Sequence, residues 1–258
     1  MSLKDRPIGF FDSGVGGISV LKESIKLMPN EHFIYLGDSA NAPYGVKSVE
    51  ELKQLSKNAS EFLVEKDIKA MVVACNTATS VAINYLRDEY KEIPVIGIEP
   101  ALKPAVSLNR DGIIIIMATP ITLSEKKFNN LMNKFNSKSE IEPMPCPGLV
   151  ELIEEGVVEG PQIEEYLKEK FKKYGEKKIS TVVLGCTHYP FVRKTIKDLL
   201  GEDVVVLDGG LGTSKQLMRK LGERNLLKTE GEGKVEIYNS LNDRIVNLSY
   251  ELLYKLNS

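Results

Sequence analysis

Val72-Val73-Ala74-Cys75-Asn76-Thr77-Ala78-Thr79 changes character halfway: an apolar, β-branched run ends at a cysteine, and small polar residues then open a helical segment. Val182-Val183-Leu184-Gly185-Cys186-Thr187-His188-Tyr189-Pro190 repeats the layout. A run that is apolar on both faces and feeds directly into a helix is the mark of a buried parallel strand. Open α/β sheets bind their ligands at the carboxyl ends of such strands, where both cysteines fall. A helix N-terminus beside each would favour thiolate through its free N–H groups and its dipole. One such cysteine is a candidate nucleophile or base. Two in matching settings suggest a different chemistry, with one sulfur on each face of a single substrate.

The pattern extends outward from these two stretches. Ile8-Gly9-Phe10-Phe11 and Phe33-Ile34-Tyr35-Leu36 read as buried strands, as do residues 70–74, 94–98, 113–117, 181–184 and 204–207. None alternates polar with apolar residues, as expected where helices cover both sheet faces. Leu52, Leu55, Ala59, Phe62 and Leu63 form a helical stripe, and Pro161 opens a charged helix running to about Tyr174. Leu241, Ile245, Leu248 and Leu252 mark a C-terminal helix, and the polar stretch 229–234 is a surface turn before the last strand and helix. The βαβα order predicts an α/β fold with mainly parallel sheets. Each half of the chain also contributes a Ser/Thr-bearing turn after a strand, at Asp12-Ser13 and at Thr119, and a later strand ending in cysteine. That weak duplication predicts two similar three-layer αβα lobes, with the active site in the cleft between their strand ends.

Bulk composition narrows the function. The 258 residues suffice for one large domain or two modest ones, and 42% hydrophobic with 27% charged residues is ordinary for a soluble globular chain. A net charge of -2 leaves no basic footprint for nucleic acid. No apolar run is long enough to span a membrane, and the N-terminus has no secretory h-region. Three cysteines without CxxC or framework spacing fit a reducing cytosol, so a cytoplasmic protein is expected.

Several residues could carry chemistry. Phe11-Asp12-Ser13-Gly14-Val15-Gly16-Gly17 follows the first strand, and its glycines allow a tight turn with exposed N–H groups. Asp12 could orient a base or receive an ammonium group, while Ser13 or Asp12 could equally cap the next helix. After the second strand, Pro43-Tyr44-Gly45 reads as a turn or as a rigid lip whose Tyr44 and Gly45 N–H groups touch a ligand. Asn76, Thr77 and Thr187 suit a carboxylate grip, or helix capping, or both. His188, two residues after Cys186, is an acid–base helper, whereas His32 reads as a surface residue. Cys146, in Pro145-Cys146-Pro147-Gly148, lacks the strand-then-polar context and reads as structural. Cys186 with His188 is too small a ligand set for a metal, so none is expected.

Taken together, 11–17, 43–45, 73–79 and 184–190 resemble the glutamate racemase family of the cofactor-independent aspartate/glutamate racemase superfamily. Ala118-Thr119 with Thr122 and Ser124, and the stretch from Cys146-Pro147 to Glu154-Glu155-Gly156, add weaker support, and the motifs span nearly the whole chain in family order. The resemblance implies that Cys75 and Cys186 are the catalytic acid–base pair, assisted by Asp12, Glu154 and His188, with Glu151 and Glu155 as close neighbours of the carboxylate. It implies substrate contacts from Asp12, Ser13, Tyr44, Gly45, Asn76, Thr77, Thr119, Thr187 and His188. It also implies a first lobe of residues 1–98 plus 208–258, a second of 99–207, a homodimer, and no pyridoxal phosphate or other cofactor. The activity implied is interconversion of L- and D-glutamate, supplying D-glutamate for peptidoglycan.

Two thiols suit that reaction. Inversion at Cα removes a proton from one face and returns one to the other, which a single residue cannot easily do. Free cysteine titrates at about 8.5, so a modest shift makes it a usable acid or base. Three rivals remain open on the residues alone. They are an aspartate or other amino-acid racemase, a cysteine hydrolase using Cys186 and His188, and a non-catalytic two-lobed amino-acid binder. A hydrolase leaves the placement of Cys75 unexplained, and a histidine two residues from its cysteine makes an awkward dyad.

Overall fold

β1 (Ile8–Asp12) is buried along its whole length, which requires helices over both faces of its sheet. The computed structural model describes residues 2–124, 132, 135 and 140–255. After β1 the chain forms α1 (Ile18–Leu27), β2 (His32–Gly37), α2 (Val49–Val64), β3 (Ala70–Val73), α3 (Asn76–Glu89) and β4 (Val95–Gly97). It continues through α4 (Leu102–Ser107), β5 (Ile113–Ala118), α5 (Pro120–Ser124), β6 (Ile141–Pro145), α6 (Leu149–Glu154), α7 (Pro161–Lys172), β7 (Ile179–Leu184), α8 (Arg193–Leu200) and β8 (Val205–Asp208). The last elements are α9 (Gly210–Glu223), β9 (Lys234–Asn239) and α10 (Asp243–Lys255). Two compact units result, Met1–Glu99 with Gly210–Ser258, and Pro100–Gly209.

The first unit holds a five-stranded parallel sheet in the order β4-β3-β1-β2-β9. The chain leaves β1 for β2 on one side, then crosses back to place β3 on the other. Right-handed crossovers in opposite directions put their helices on opposite faces. Accordingly α1 packs with α9 and α10, while α2 packs with α3. The point of reversal, between the carboxyl ends of β1 and β3, is where such sheets open a crevice. α2 is fixed at its start by a capping box in which Ser48 and Glu51 satisfy each other's backbone N–H groups.

The second unit holds a four-stranded parallel sheet in the order β6-β5-β7-β8, and its reversal falls between β5 and β7. Its core packs Leu102 and Ala105 of α4 against Ile114, Ile116 and Val183 of the sheet. Each fully buried aliphatic side chain of this kind contributes about 1.5–3 kcal/mol relative to exposure.

Two elements differ from the sequence reading. β6, with the sequence Ile-Glu-Pro-Met-Pro, is absent from the strands read in the sequence; its two prolines are accommodated because it is an edge strand, where a missing N–H costs no ladder bond. Leu241 lies outside the C-terminal helix and is exposed. Asn242 accepts the Ile245 N–H and caps the helix, which starts at Asp243, two residues later than the apolar stripe suggests. Among the described residues, no helix is long and apolar enough to cross a membrane.

Candidate active site

Each sheet carries a cysteine at its point of reversal, but the two thiols are held differently. In the first unit Cys75 directly precedes α3, and the Ala78 N–H points at its sulfur at 3.4 Å. The helix N-terminus thus donates to Sγ, which favours the thiolate. Ser13 Oγ lies 3.7 Å from the same sulfur. Asp12 closes β1, wholly buried, and accepts the Gly14 N–H at 3.0 Å. Asn76 and Thr77 open α3 as buried residues, and Asn76 Oδ1 has no donor among the described residues, an acceptor left over for a ligand. Tyr44 and Gly45 are buried in the turn after β2, and the Tyr44 O–H donates to Asp38 at 2.7 Å. Burial, then the charge of Asp38, holds the Tyr44 phenol well above the ordinary tyrosine value, with smaller contributions from Cys75 and Asp12.

In the second unit Cys186 follows β7 after one residue, Gly185. A short 3-10 turn, Tyr189–Val192, separates it from α8, so this cysteine does not directly precede an α-helix as Cys75 does. A histidine takes its place. His188 Nδ1 lies 3.6 Å from Cys186 Sγ, and Nε2 lies 2.5 Å from Glu154 Oε1 at the end of α6. The dyad that looked awkward along the chain is therefore geometrically available. Burial by itself would lower the His188 pKa, but hydrogen bonds to Cys186 and Glu154 outweigh it and hold the imidazolium well above 6.5. Of the three neighbouring acids, Glu154 is the one this contact uses; Glu151 and Glu155 are exposed. Gly185 allows β7 to run tight against β5, since a Cβ there would sit 2.9 Å from the Met117 carbonyl oxygen. Thr119, next to the end of β5, hydrogen-bonds Thr122 at 2.9 Å, and Thr187 is buried beside Cys186.

The structure gathers Asp12, Ser13, Tyr44, Gly45, Cys75, Asn76 and Thr77 at the strand ends of the first unit, and Thr119, Glu154, Cys186, Thr187 and His188 in the second. Cys146 does follow a strand, contrary to the sequence reading, because β6 ends one residue before it. It differs in chemistry: its thiol donates to the Met144 carbonyl, and burial pushes its pKa up to about 12. His32 opens β2, half-buried, and pairs with Glu236 at 2.9 Å. Asp38 escaped the sequence reading altogether, although it stands in the loop that supplied Tyr44. Among the described residues, no group of three His, Cys, Asp or Glu side chains could hold a metal ion.

Each of the two parallel sheets, taken by itself, ends in a cysteine with hydroxyl groups close by in the chain, an arrangement suited to acid–base chemistry. Residues 18–213 match the family model described as Asp/Glu/hydantoin racemase. A glutamate racemase of Clostridium botulinum (strain Langeland) is 61% identical over 254 residues, 98% of each chain, and one of Clostridium novyi is 57% identical over 98% of this chain and 99% of its own. The crystal structure of glutamate racemase from Francisella tularensis with D-glutamate superposes with a TM-score of 0.83 at 34% identity, covering 97% of this chain and 94% of that one. Escherichia coli glutamate racemase, solved with L-glutamate and the activator UDP-MurNAc-ala, gives 0.85 at 29% identity, with 97% and 95% covered. The chain belongs to the Asp/Glu/hydantoin racemase family.

Proposed function

We propose that this chain is an amino-acid isomerase that interconverts L- and D-glutamate by exchanging the α-proton between two thiols. In one direction the Cys75 thiolate takes the α-proton, breaking C–H and forming S–H, while the Cys186 thiol gives its proton to the opposite face of the carbanion. In the other direction the roles swap. In each direction one sulfur must be thiolate while the other is thiol, so each needs neighbours that can poise it for either role. Ala78 N–H and Ser13 attend Cys75, whereas His188 and Glu154 attend Cys186. That unequal support of two strand-end cysteines is the observation that carries the reading.

The α-proton is very weakly acidic, so charge building on the carboxylate must be met by fixed donors. Thr77, Thr119 and Thr187, with backbone N–H groups at the head of α3, fill that role without a cofactor, and Asn76 Oδ1 is free to accept from the substrate ammonium. Asp12 poises Cys75. Glutamate, rather than aspartate, is favoured by the relatives at 57% and 61% identity and by the glutamate-bound structures. The chain works as a cytoplasmic homodimer, and its product D-glutamate supplies peptidoglycan. A cysteine hydrolase built on Cys186, His188 and Glu154 would have the right contacts, but family membership and the setting of Cys75 count against it.

Incubation with either enantiomer in deuterated water tests the reading. Optical rotation should decay to that of an equal mixture, with deuterium at Cα of the inverted product. Unchanged rotation from both enantiomers, or a trapped acyl-enzyme by mass spectrometry, would overturn it.

A further inference from the structure

We infer that Asp38 is a positioning residue that sets the Tyr44–Gly45 segment against the substrate; the inference rests on the racemase reading above. Asp38 follows β2 directly and is buried. Its carboxylate takes four donated bonds. Asn41 Nδ2 donates to both oxygens at 3.0 and 3.1 Å, Tyr44 O–H to Oδ2 at 2.7 Å, and Ser240 O–H to Oδ1 at 2.7 Å. The direction of the last bond is fixed, because Ser240 Oγ already accepts the Ala40 N–H at 3.0 Å and has its proton to spare. All four bonds use the carboxylate oxygens as acceptors, and an amide in its place would put a donor where an acceptor is needed.

The backbone of Asp38 reaches the other way. Its N–H donates to the Asp12 carbonyl at 2.9 Å, so one residue ties the end of β1, the turn carrying Tyr44 and the turn after β9 into a single assembly. Asn239 adds a parallel link to Ser39 at 2.9 Å. The consequence for Tyr44 is specific. Its one hydroxyl proton is committed to Asp38, so the side chain acts as an anchor and the segment offers its backbone N–H groups to a ligand. Ser240 lies two hundred residues away in sequence, so the C-terminal part of the first unit takes part in setting a contact near the start of the chain.

The test is racemisation kinetics of the full chain with L- and D-glutamate for the wild type, Asp38→Asn, Tyr44→Phe, Ser240→Ala and the Asp38→Asn/Tyr44→Phe double variant. Loss of a charged hydrogen bond that serves only to place a binding segment should raise KM about tenfold in both directions, with kcat within about threefold. Ser240→Ala should raise KM in the same sense by less. The double variant should be no worse than Asp38→Asn, because the Asp38–Tyr44 bond is lost in both single variants and can be lost only once. Should Asp38→Asn fail to fold, Tyr44→Phe and Ser240→Ala carry the test. A residue with only a structural role would leave KM unmoved and lower kcat with the folded fraction, and multiplying effects in the double variant would contradict action through Tyr44. Either result overturns the assignment of Asp38 alone, whereas an inert wild type overturns the racemase reading on which it stands.

Discussion

His188 and Glu154 meet at 2.5 Å, Nε2 to Oε1, although 34 positions separate them in the chain. The contact exists because α6 ends at Glu154 and the turn after β7 carries His188 inward. The other ring nitrogen faces Cys186, so one buried imidazole couples a carboxylate to a thiol.

Replacing Glu154 by Gln should therefore lower the His188 pKa and withdraw support from the Cys186 thiolate. The turnover that uses Cys186 as base should fall about tenfold or more, and the alkaline limb of its pH–rate profile should move to lower pH. Stability follows the same proton. The folded pKa of His188 lies above the unfolded value of about 6.5, so its contribution is complete below about pH 6.5 and is lost as pH rises through the folded pKa. The Tm gap between wild type and Glu154→Gln should be wider at pH 6 than at pH 9; an equal gap at both would show that the pair does not hold the proton.

Cys146 is the control among the three cysteines. Its thiol stays protonated at neutral pH because burial pushes it up to about 12, and it hydrogen-bonds the Met144 carbonyl of the strand it follows. Cys146→Ala should cost about 1–2 kcal/mol of stability and leave racemisation within about threefold. Activity lost as fully as in a Cys75 or Cys186 variant would give Cys146 a chemical role.

At the amino-terminal edge of the first sheet, Lys69 Nζ pairs with Glu31 at 2.5 Å with both side chains out of solvent, and also donates to the Lys4 and Leu226 carbonyls. Burial lowers the Lys69 pKa against the opposing pull of Glu31. Lys69→Met leaves a buried carboxylate without its partner and should cost about 3–5 kcal/mol in urea unfolding. Adding Glu31→Gln should recover part of that loss, a non-additivity that separate contributions would not show.

Much of this was legible in the sequence for a physical reason. Strands buried on both faces cannot alternate, so Ile8, Phe33, Ala70, Ile113 and Thr181 all announce runs that could only be parallel and covered. Both cysteines stand out because apolar strand turns to polar loop at each. β6 was illegible because its prolines argue against any strand unless its edge position is known. Asp38 was illegible because its partners Tyr44 and Ser240 meet it only through the fold, and a lone aspartate after a strand is ordinary turn chemistry. The α-helix N-terminus expected beside Cys186 is displaced by a 3-10 turn, Tyr189–Val192, and His188 reaches the thiol instead.

The division of labour proposed for the thiols is tested most directly by elimination of HCl from the two enantiomers of threo-3-chloroglutamate, a reaction that needs a base on one face only. Cys75→Ser and Cys186→Ser should each lose racemisation, yet each should still eliminate from one enantiomer, and from opposite ones. If both variants lose the same enantiomer, or lose both alike, Cys75 and Cys186 do not serve opposite faces of the α-carbon.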